Sequence, residues 1–365
     1  MTVAPPAAAV RRVHPVVPPL DAEAVPVIAR HVALDTLAEL RRAAAFFDNP
    51  DLFHRPRFRT KMWLKHVGAM DPEHLTERIA AAAENRAAAG LLAVHSVREE
   101  LREHPGERPC FTPDSLAELH RLLIADDPNI VAPGGFRRTR SEVRWADGQI
   151  HTVPVAPGAE LRDHMERWYQ WGTRTASPPL DAAAFVMVRL LTIHPFADAN
   201  GRMGRLIGQC DLVAAGLMPG LLLDLDSWVH AHRDLHDTAL VAASDGDWNR
   251  WGEVFAQAVT ETARHRIASI ATYRGLLHEA IGQVEDDPAA AAVLDRLRAT
   301  PAVSADWLRG RIPHDPEPAL DRLRSRGVLT PHPRLPGALI HPELIAVLDA
   351  PCCPSKERQP VGGHA

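Results

Sequence analysis

Apolar residues recur along most of this chain at the three- to four-residue spacing that is typical of amphipathic helices. One helix start is also marked locally, since Thr112-Pro113 combines an N-capping hydroxyl with a proline in the first turn. The spacing therefore predicts a mostly α-helical protein. The predicted helices include residues 31–49, 113–124, 161–171, 182–193, 206–217 and 255–270.

A shorter region alternates between apolar and polar residues, as strands do. Residues 136–145 and 149–155 are its two extended stretches. Asp147-Gly148 between them is a dipeptide typical of tight hairpin turns. The pattern predicts one β-hairpin within residues 136–155.

The pattern changes again towards the C-terminus, where short elements replace long helices. Three helices followed by two strands are predicted, at residues 288–299, 304–311, 315–326, 327–330 and 338–341. This order is that of a winged helix-turn-helix, so we predict such a domain over residues 286–350. DNA binding would place Arg322, Arg324 and Arg326 in the major groove. Eight arginines against seven carboxylates in residues 288–350 favour phosphate contacts only weakly, which leaves a protein-contact or dimerisation role open.

Composition argues against several functional classes. The chain has 365 residues and a formal net charge of −5, which provides no electrostatic attraction for nucleic acid or an anionic membrane. No apolar segment is long enough to span a bilayer, and no targeting segment is evident. The four cysteines lack metal-ligand spacing, and Cys352-Cys353 lies in a proline-rich tail, so we expect a reduced, cytoplasmic setting.

The residues with the clearest chemistry lie in one run, His194 to Arg205, between two apolar segments. The predicted arrangement is a helix, a tight loop and a helix N-terminus, where N–H groups and the helix dipole favour an anion. Gly201 allows the backbone to approach a phosphate, and the Asn200 amide can donate to one. Arg202 and Arg205 are three residues apart and share a helix face, so both can contact a polyphosphate.

Two further side chains in this run supply the remaining groups of a transfer site. Asp198 offers the hard oxygen ligand that Mg²⁺ prefers. Histidine titrates near neutral pH, so His194 can take a proton from a hydroxyl nucleophile. The run therefore predicts phosphoryl or nucleotidyl transfer.

The run resembles the signature of Fic-domain proteins, His-x-Phe-x-(Asp/Glu)-(Gly/Ala)-Asn-Gly-Arg-x-x-Arg, and it matches every defined position. Ala199 stands where glycine is the commoner residue. The resemblance extends over about residues 75–270 and implies an all-helical core with a hairpin flap. It also implies protein AMPylation, in which AMP is transferred from the co-substrate ATP to a Ser, Thr or Tyr hydroxyl of a target protein. The target is then expected to dock on the flap at residues 136–155 by strand addition.

The resemblance implies a role for each residue of the signature. His194 would be the catalytic base, and Asp198 would be the ligand of Mg²⁺ or Mn²⁺. Phe196 would be the buried anchor of the loop that binds ATP. The other residues that the resemblance places around ATP are Ala199, Asn200, Gly201, Arg202 and Arg205. The paired tyrosines that the family usually carries further on are missing, and Leu235-His236 stands near their place.

Many members of this family carry an inhibitory helix with the pattern Ser/Thr-x-x-x-Glu-Gly/Asn, whose glutamate pairs with the last arginine of the signature. Residues 80–85 match this pattern at Glu84 and its following asparagine but have alanine in the hydroxyl position. Residues 96–100 have the hydroxyl, but Glu100 is followed by leucine. We therefore predict Glu84 as the autoinhibitory residue and Arg205 as its partner.

These interpretations combine into a Fic-type AMP transferase with a helical extension before it and a winged-helix domain after it. Two alternatives stay open. The site could transfer another phosphate-linked group or remove AMP, or the chain could be a nucleotide-sensing DNA-binding regulator; homodimerisation is also left open. The predicted regions are a disordered or extended N-terminus (residues 1–30), a helical region with the inhibitory helix (31–110), the Fic core (111–275), the winged helix-turn-helix (286–350) and a disordered tail (351–365).

Overall fold

The computed structural model describes residues 15–54, 72–105, 107–125, 133–144, 150–333 and 335–353, and for residues 72–87 and 151 it describes the backbone alone. Within these residues the fold is mostly helical, as predicted. The α-helices are α1 (Val27–Ala44), α2 (Pro72–Glu103), α3 (Pro113–Leu123), α4 (Ala159–Arg174), α5 (Pro179–Ile193), α6 (Asn200–Ala214), α7 (Leu225–Ala231), α8 (Arg233–Ser244), α9 (Trp248–Gly282), α10 (Pro288–Asp295), α11 (Ala305–Leu308), α12 (Pro316–Ser325) and α13 (Pro342–Asp349). The 3₁₀ helices are Pro50–Phe53 and Arg296–Arg298, and the strands are β1 (Val143–Arg144), β2 (Ile150–Thr152), β3 (Ala302–Val303), β4 (Thr330–Pro331) and β5 (Leu339–Ile340).

Helix α5 lies at the centre of the fold because it is apolar on nearly all sides. Every residue from Leu180 to Ile193 is buried. One side, which includes Phe185 and Leu190, packs with α2, α3, α4 and α6. The opposite side, which includes Met187, contacts α8 and α9 and belongs to a second apolar cluster that extends to α1 and to the C-terminal unit formed by α10 to α13. Packing on both sides therefore fixes the C-terminal end of α5, where the signature loop begins.

Two glycines let α6 pack closely against α5. A Cβ atom at Gly204 would lie 3.0 Å from Leu191 Cδ2, and one at Gly208 would lie 3.4 Å from Met187 Cβ. Contacts this short leave no room for a side chain at Gly204 without movement of Leu191. The first turns of α6, which carry the signature arginines, are thus held on the central helix.

An extended segment, residues 15–26, precedes α1 and is tied to the core. The backbone N–H groups of residues 24 and 25 donate to Oδ1 of the fully buried Asp181, at 2.7 and 2.8 Å. Arg30 also contacts this carboxylate, with 2.9 Å between Nε and Oδ2. Helix α1 begins at Val27, so the prediction of disordered or extended chain to residue 30 is wrong for its last four residues.

Strands β1 and β2 pair antiparallel, with Val143 opposite Thr152, which confirms a strand pair within residues 136–155. The strands are shorter than the predicted stretches of 136–145 and 149–155. In the C-terminal unit, β5 lies between β3 and β4, and both pairs are antiparallel. The helices predicted there are present, with the first ending in a 3₁₀ turn, whereas β3 and α13 were not predicted.

Three predicted features lie outside the described residues. They are the first 14 residues, the hairpin turn at Asp147-Gly148 and residues 354–365. In the described part of the chain, no helix is both long and apolar enough to cross a bilayer.

Candidate active site

The loop between α5 and α6 contains two residues in the left-handed region of backbone conformation. His194, which ends α5, has a φ of 55°, and Ala199, which precedes α6, has a φ of 64°. Residues other than glycine rarely adopt such angles, which cost about 1–3 kcal/mol each, so surrounding contacts must hold them. The positive φ at Ala199 also gives a physical reason for the glycine that is commoner at this position of the signature.

Asn200 fixes the shape of this loop through its side-chain amide. Its Oδ1 accepts from the Phe196 backbone N–H at 2.9 Å, and its Nδ2 donates to the Phe196 carbonyl oxygen at 2.8 Å. The residue is only 2% exposed. Both ends of the amide are thus used by the loop, and a contact of its second N–H with a phosphate stays a prediction.

His120 of α3 holds the loop from the other side. Its ring stacks on the fully buried Phe196, with 3.9 Å between the centroids and 4° between the planes. Its Nε2 lies 3.2 Å from the Asp198 carbonyl oxygen, and its Nδ1 accepts from the Gly134 N–H at 3.0 Å. Burial lowers the pKa of His120 to about 4, so the neutral ring with its proton on Nε2 satisfies both contacts.

Arg137, at the base of the hairpin, connects the flap region to the same loop. Its backbone N–H donates to the Pro195 carbonyl at 2.9 Å, and its Nε donates to the His194 carbonyl at 2.8 Å. The side chain is buried, and burial lowers its pKa from the ordinary arginine value. Because Arg137 binds backbone carbonyls, it supports the left-handed turn at His194.

The predicted base and the predicted metal ligand lie at the two ends of the loop. The half-buried His194 ring has Nδ1 3.4 Å from the Leu191 carbonyl oxygen. A hydrogen bond there places the proton on Nδ1 and makes Nε2 the basic nitrogen. The Asp198 side chain is 60% exposed, and its Oδ1 accepts from the Ala199 N–H at 2.5 Å.

The two signature arginines have different carboxylate partners. Arg202 Nη2 lies 3.4 Å from Asp198 Oδ2, which is a loose contact. Arg205 donates from both Nε and Nη2 to Oδ1 of Asp226 in α7, and the Nε distance is 2.7 Å. No sequence pattern points to Asp226, His120 or Arg137 as site residues, since each lies outside the signature run.

The predicted inhibitory residue, Glu84, lies in α2 where only the backbone is described, so its side chain lies outside the described residues. The alternative, Glu100, is exposed, and its Oε1 lies 3.2 Å from His104 Nδ1 in the next turn of α2. Glu100 is therefore not placed on Arg205, and Glu84 stays a prediction.

The donor set around the loop fits a metal ion that arrives with a nucleotide. Among the residues that the structure describes, no cluster of three or more His, Cys, Asp or Glu side chains could hold an ion by itself. Mg²⁺ commonly takes one or two protein carboxylates and completes its octahedron with phosphate and water oxygens. The exposed Asp198 carboxylate beside the N-terminus of α6 matches that pattern.

The loop, the helix N-terminus and the hairpin lie in one segment that matches a known protein family. Residues 110–210 match the model of the Fic/DOC family. This match includes the hairpin and the whole signature run, whereas Asp226 and the C-terminal unit lie beyond it.

Several curated proteins resemble the chain over part of their length. Protein adenylyltransferase fic-1 of Caenorhabditis briggsae is 29% identical over 174 residues, which are 47% of this chain and 30% of that protein. Protein adenylyltransferase Fic of Drosophila persimilis is 35% identical over 115 residues, 31% of this chain and 21% of that protein. The Aedes aegypti protein of the same name is 32% identical over 140 residues, 38% and 25% of the two chains. The chain thus spans less than a third of the length of these relatives.

Solved structures of Fic proteins are similar to the chain at low sequence identity. A Fic family protein from Desulfovibrio desulfuricans G20 has 16% identity and a TM-score of 0.40, over 87% of this chain and 88% of that chain. Fic-1 from C. elegans has 19% identity and a TM-score of 0.41, over 67% of this chain and 73% of that chain.

Proposed function

We propose that the protein is a protein adenylyltransferase, which transfers AMP from ATP to a Ser, Thr or Tyr hydroxyl of a target protein. The observation that carries this proposal is the placement of His194, Asp198 and Arg205 around one helix N-terminus, on a loop held in a constrained shape. The family match over residues 110–210 and the activity named for the curated relatives support it.

The N-terminus of α6 would bind the phosphates of ATP. The N–H groups of its first turn have no carbonyl partner within the helix and point outwards together with the positive end of the helix dipole. Gly201 adds no side chain in front of them. Arg202 and Arg205 flank this position, so we assign them to the outer phosphates.

His194 would act as the general base. Its Nε2 takes the proton of the target hydroxyl while the hydroxyl oxygen forms a bond to the α-phosphorus. The bond from that phosphorus to the β-phosphate oxygen breaks, and pyrophosphate leaves with the electron pair. Asp198 would hold Mg²⁺ or Mn²⁺, which when bound offsets the negative charge of the phosphates.

The hairpin formed by β1 and β2 would receive the target protein. Its base is joined to the signature loop through Arg137, which hydrogen-bonds the His194 and Pro195 carbonyls. A target segment that adds as a strand to this hairpin would therefore bring its hydroxyl towards His194. The target would be selected by the shape of residues 136–155.

We further propose that the C-terminal unit is a winged helix-turn-helix. Its order of helix, strand, two helices and two strands supports this interpretation. Arg322, one of the three candidate DNA contacts, pairs with Asp287 through two contacts of 2.5 and 3.0 Å. Because this pairing already uses the guanidinium group, it argues against a DNA contact at Arg322. A cytoplasmic setting and a homodimer remain predictions.

The role of His194 can be tested with ATP labelled at the α-phosphate, incubated with the purified protein and a lysate. We expect His194→Ala to lower the labelling of proteins about 100- to 10,000-fold, because general-base assistance is lost. ATP binding should change little, since the phosphates are held by α6 and its arginines. The matched control is His31→Ala, which alters an exposed histidine of α1. Equal labelling by wild type and His194→Ala would contradict the assignment.

A further inference from the structure

Asp226 contacts the last arginine of the signature although it lies beyond the residues that match the family. One carboxylate oxygen, Oδ1, accepts from both Nε and Nη2 of Arg205. The carboxylate therefore occupies one edge of the planar guanidinium group and sets its orientation.

The opposite side of the guanidinium faces the start of α6. Arg205 Nη1 lies 3.0 Å from the position that a Cβ atom would take at Gly201. The remaining donor edge thus lies directly over the backbone of the first helical turn, where an anion would bind. With the side chain only 14% exposed, this orientation is constrained on both sides.

The backbone that carries Asp226 is well anchored. Asp224 caps α7, since its Oδ1 accepts from the Ser227 N–H at 3.1 Å. Leu225 and Trp228, on either side of Asp226, are 2% and 0% exposed. The carboxylate consequently has a defined position relative to α6.

Two roles are compatible with such a pair, and the exposure of the carboxylate separates them. An inhibitory carboxylate must compete with the triphosphate of ATP for Arg205, whereas a positioning carboxylate only has to orient it. Asp226 is 45% exposed, and ion pairs this open to solvent are weak. A weak pair is a poor competitor against a multiply charged ligand, but it is sufficient to select one rotamer of a long side chain.

We propose that Asp226 is a positioning residue for the nucleotide, which holds Arg205 over the N-terminus of α6 so that its Nη1 edge meets the outer phosphates. The inference rests on the proposed function, because it assumes that this site binds ATP. Asp226 is assigned no contact with the reacting atoms and acts through Arg205. Its loss should therefore change the affinity for ATP far more than the rate of the chemical step.

The test compares wild type, Asp226→Ala and Asp226→Asn by calorimetric titration with ATP and Mg²⁺ and by labelling kinetics. We expect Asp226→Ala to raise both the Kd and the KM for ATP about two- to tenfold, the cost of ordering one long side chain, with kcat within about twofold of wild type. Asp226→Asn keeps an oxygen that can accept from Nε and Nη2, so it should restore most of the affinity. Asp163→Ala is the matched control, since Asp163 pairs with Arg167 on the surface of α4.

A second comparison uses the Arg205→Ala background. There, Asp226→Ala should have no further effect on the Kd, because the group through which it acts is gone. Thermal melting of each variant identifies loss of fold, and Asp226→Leu, which keeps the size of the side chain but has no acceptor oxygen, replaces the alanine variant if that variant melts early.

Three results would overturn the inference: an unchanged Kd and KM in Asp226→Ala, an equal effect with and without Arg205, or tighter ATP binding with faster labelling. The last result would identify Asp226 as an inhibitor. A wild-type protein that binds ATP but labels no protein would contradict the proposed function, while the Kd comparison would still decide the role of Asp226. Absence of ATP binding by the wild type would overturn both.

Discussion

Acid should destabilise the protein through His120, and replacement of this residue should remove that sensitivity. The ring is 1% exposed, stacks on Phe196 and accepts from the Gly134 N–H through Nδ1. Protonation places a second N–H on Nδ1, against a donor, and puts a charge into a buried site. His120→Gln keeps a polar side chain that does not titrate.

The magnitude follows from the difference between two pKa values. The pKa of His120 is lowered from 6.5 to about 4, chiefly by burial, with smaller opposing effects of Arg202 and Asp198. The unfolded chain therefore binds more protons than the folded protein as the pH falls below 6.5, and stability falls with it. At 1.36 kcal/mol per pKa unit, about 2 kcal/mol is lost by pH 5 and about 3 kcal/mol by pH 4.

The assay is chemical unfolding of wild type and His120→Gln at pH 7, 6 and 5. At pH 7 the variant should be less stable, because it lacks the stacked ring. The difference in free energy of unfolding between the two proteins should narrow by about 2 kcal/mol at pH 5, since only the wild type loses the His120 contribution. Burial also lowers the pKa values of other histidines, but these residues are common to both proteins: His164, His236 and His341. A difference in free energy of unfolding that stays constant from pH 7 to pH 5 would refute this role of His120.

Three further predictions concern the signature loop and its regulation. Asp198→Ala should lower labelling at least about tenfold at limiting Mg²⁺, while Asp163→Ala should not; undiminished activity in excess EDTA would reject the metal assignment. Asn200→Ala should destabilise the protein by roughly 2–6 kcal/mol in urea unfolding, because the buried Phe196 N–H and C=O lose their partners, and a change below 1 kcal/mol would contradict that role. Glu84→Gly should raise the initial labelling rate about tenfold, the equivalent of 1.4 kcal/mol, with Glu100→Gly as the control; equal rates for wild type and Glu84→Gly would show that Glu84 is not inhibitory.

The parts of the site that the sequence predicts are those with local causes. Thr112 caps α3 as expected, because its Oγ1 accepts from the Ser115 N–H at 3.1 Å. The helix, loop and helix around His194 follow from apolar spacing on both sides of a short polar run. Helix capping and apolar periodicity act within a few residues, so a single sequence contains them.

The residues that hold the loop could not be predicted in this way, because their partners are distant in sequence. His120 contacts Asp198, which is 78 residues away, and Arg137 contacts His194, which is 57 residues away. Nothing local distinguishes this histidine or arginine from others on a polar helix face or in a loop. Their roles become visible only when the helices pack.

The N-terminal segment illustrates the same limit. Its Ala, Pro and Val content predicts extended or disordered chain, and residues 15–26 are indeed without helix or strand. Their attachment depends on Asp181, whose carboxylate accepts from residue 24 across 157 positions of sequence. The sequence signal for this contact was an aspartate at the start of a helix that is apolar on nearly all sides. A carboxylate that such a helix buries needs a partner elsewhere in the chain.

The most direct test of the proposed activity is a comparison of ATP labelled at the α-phosphate with ATP labelled at the γ-phosphate, using wild-type protein and a lysate. AMP transfer leaves the α-label on protein and releases the γ-label with pyrophosphate. We therefore expect the bands that depend on added wild-type protein to carry label from α-labelled ATP and none from γ-labelled ATP, and to be lost in His194→Ala. Kinases of the lysate add γ-label by themselves, so lysate without the protein is the control. A γ-label that appears only when the protein is added, or neither label although ATP is bound, would contradict adenylyl transfer by this site.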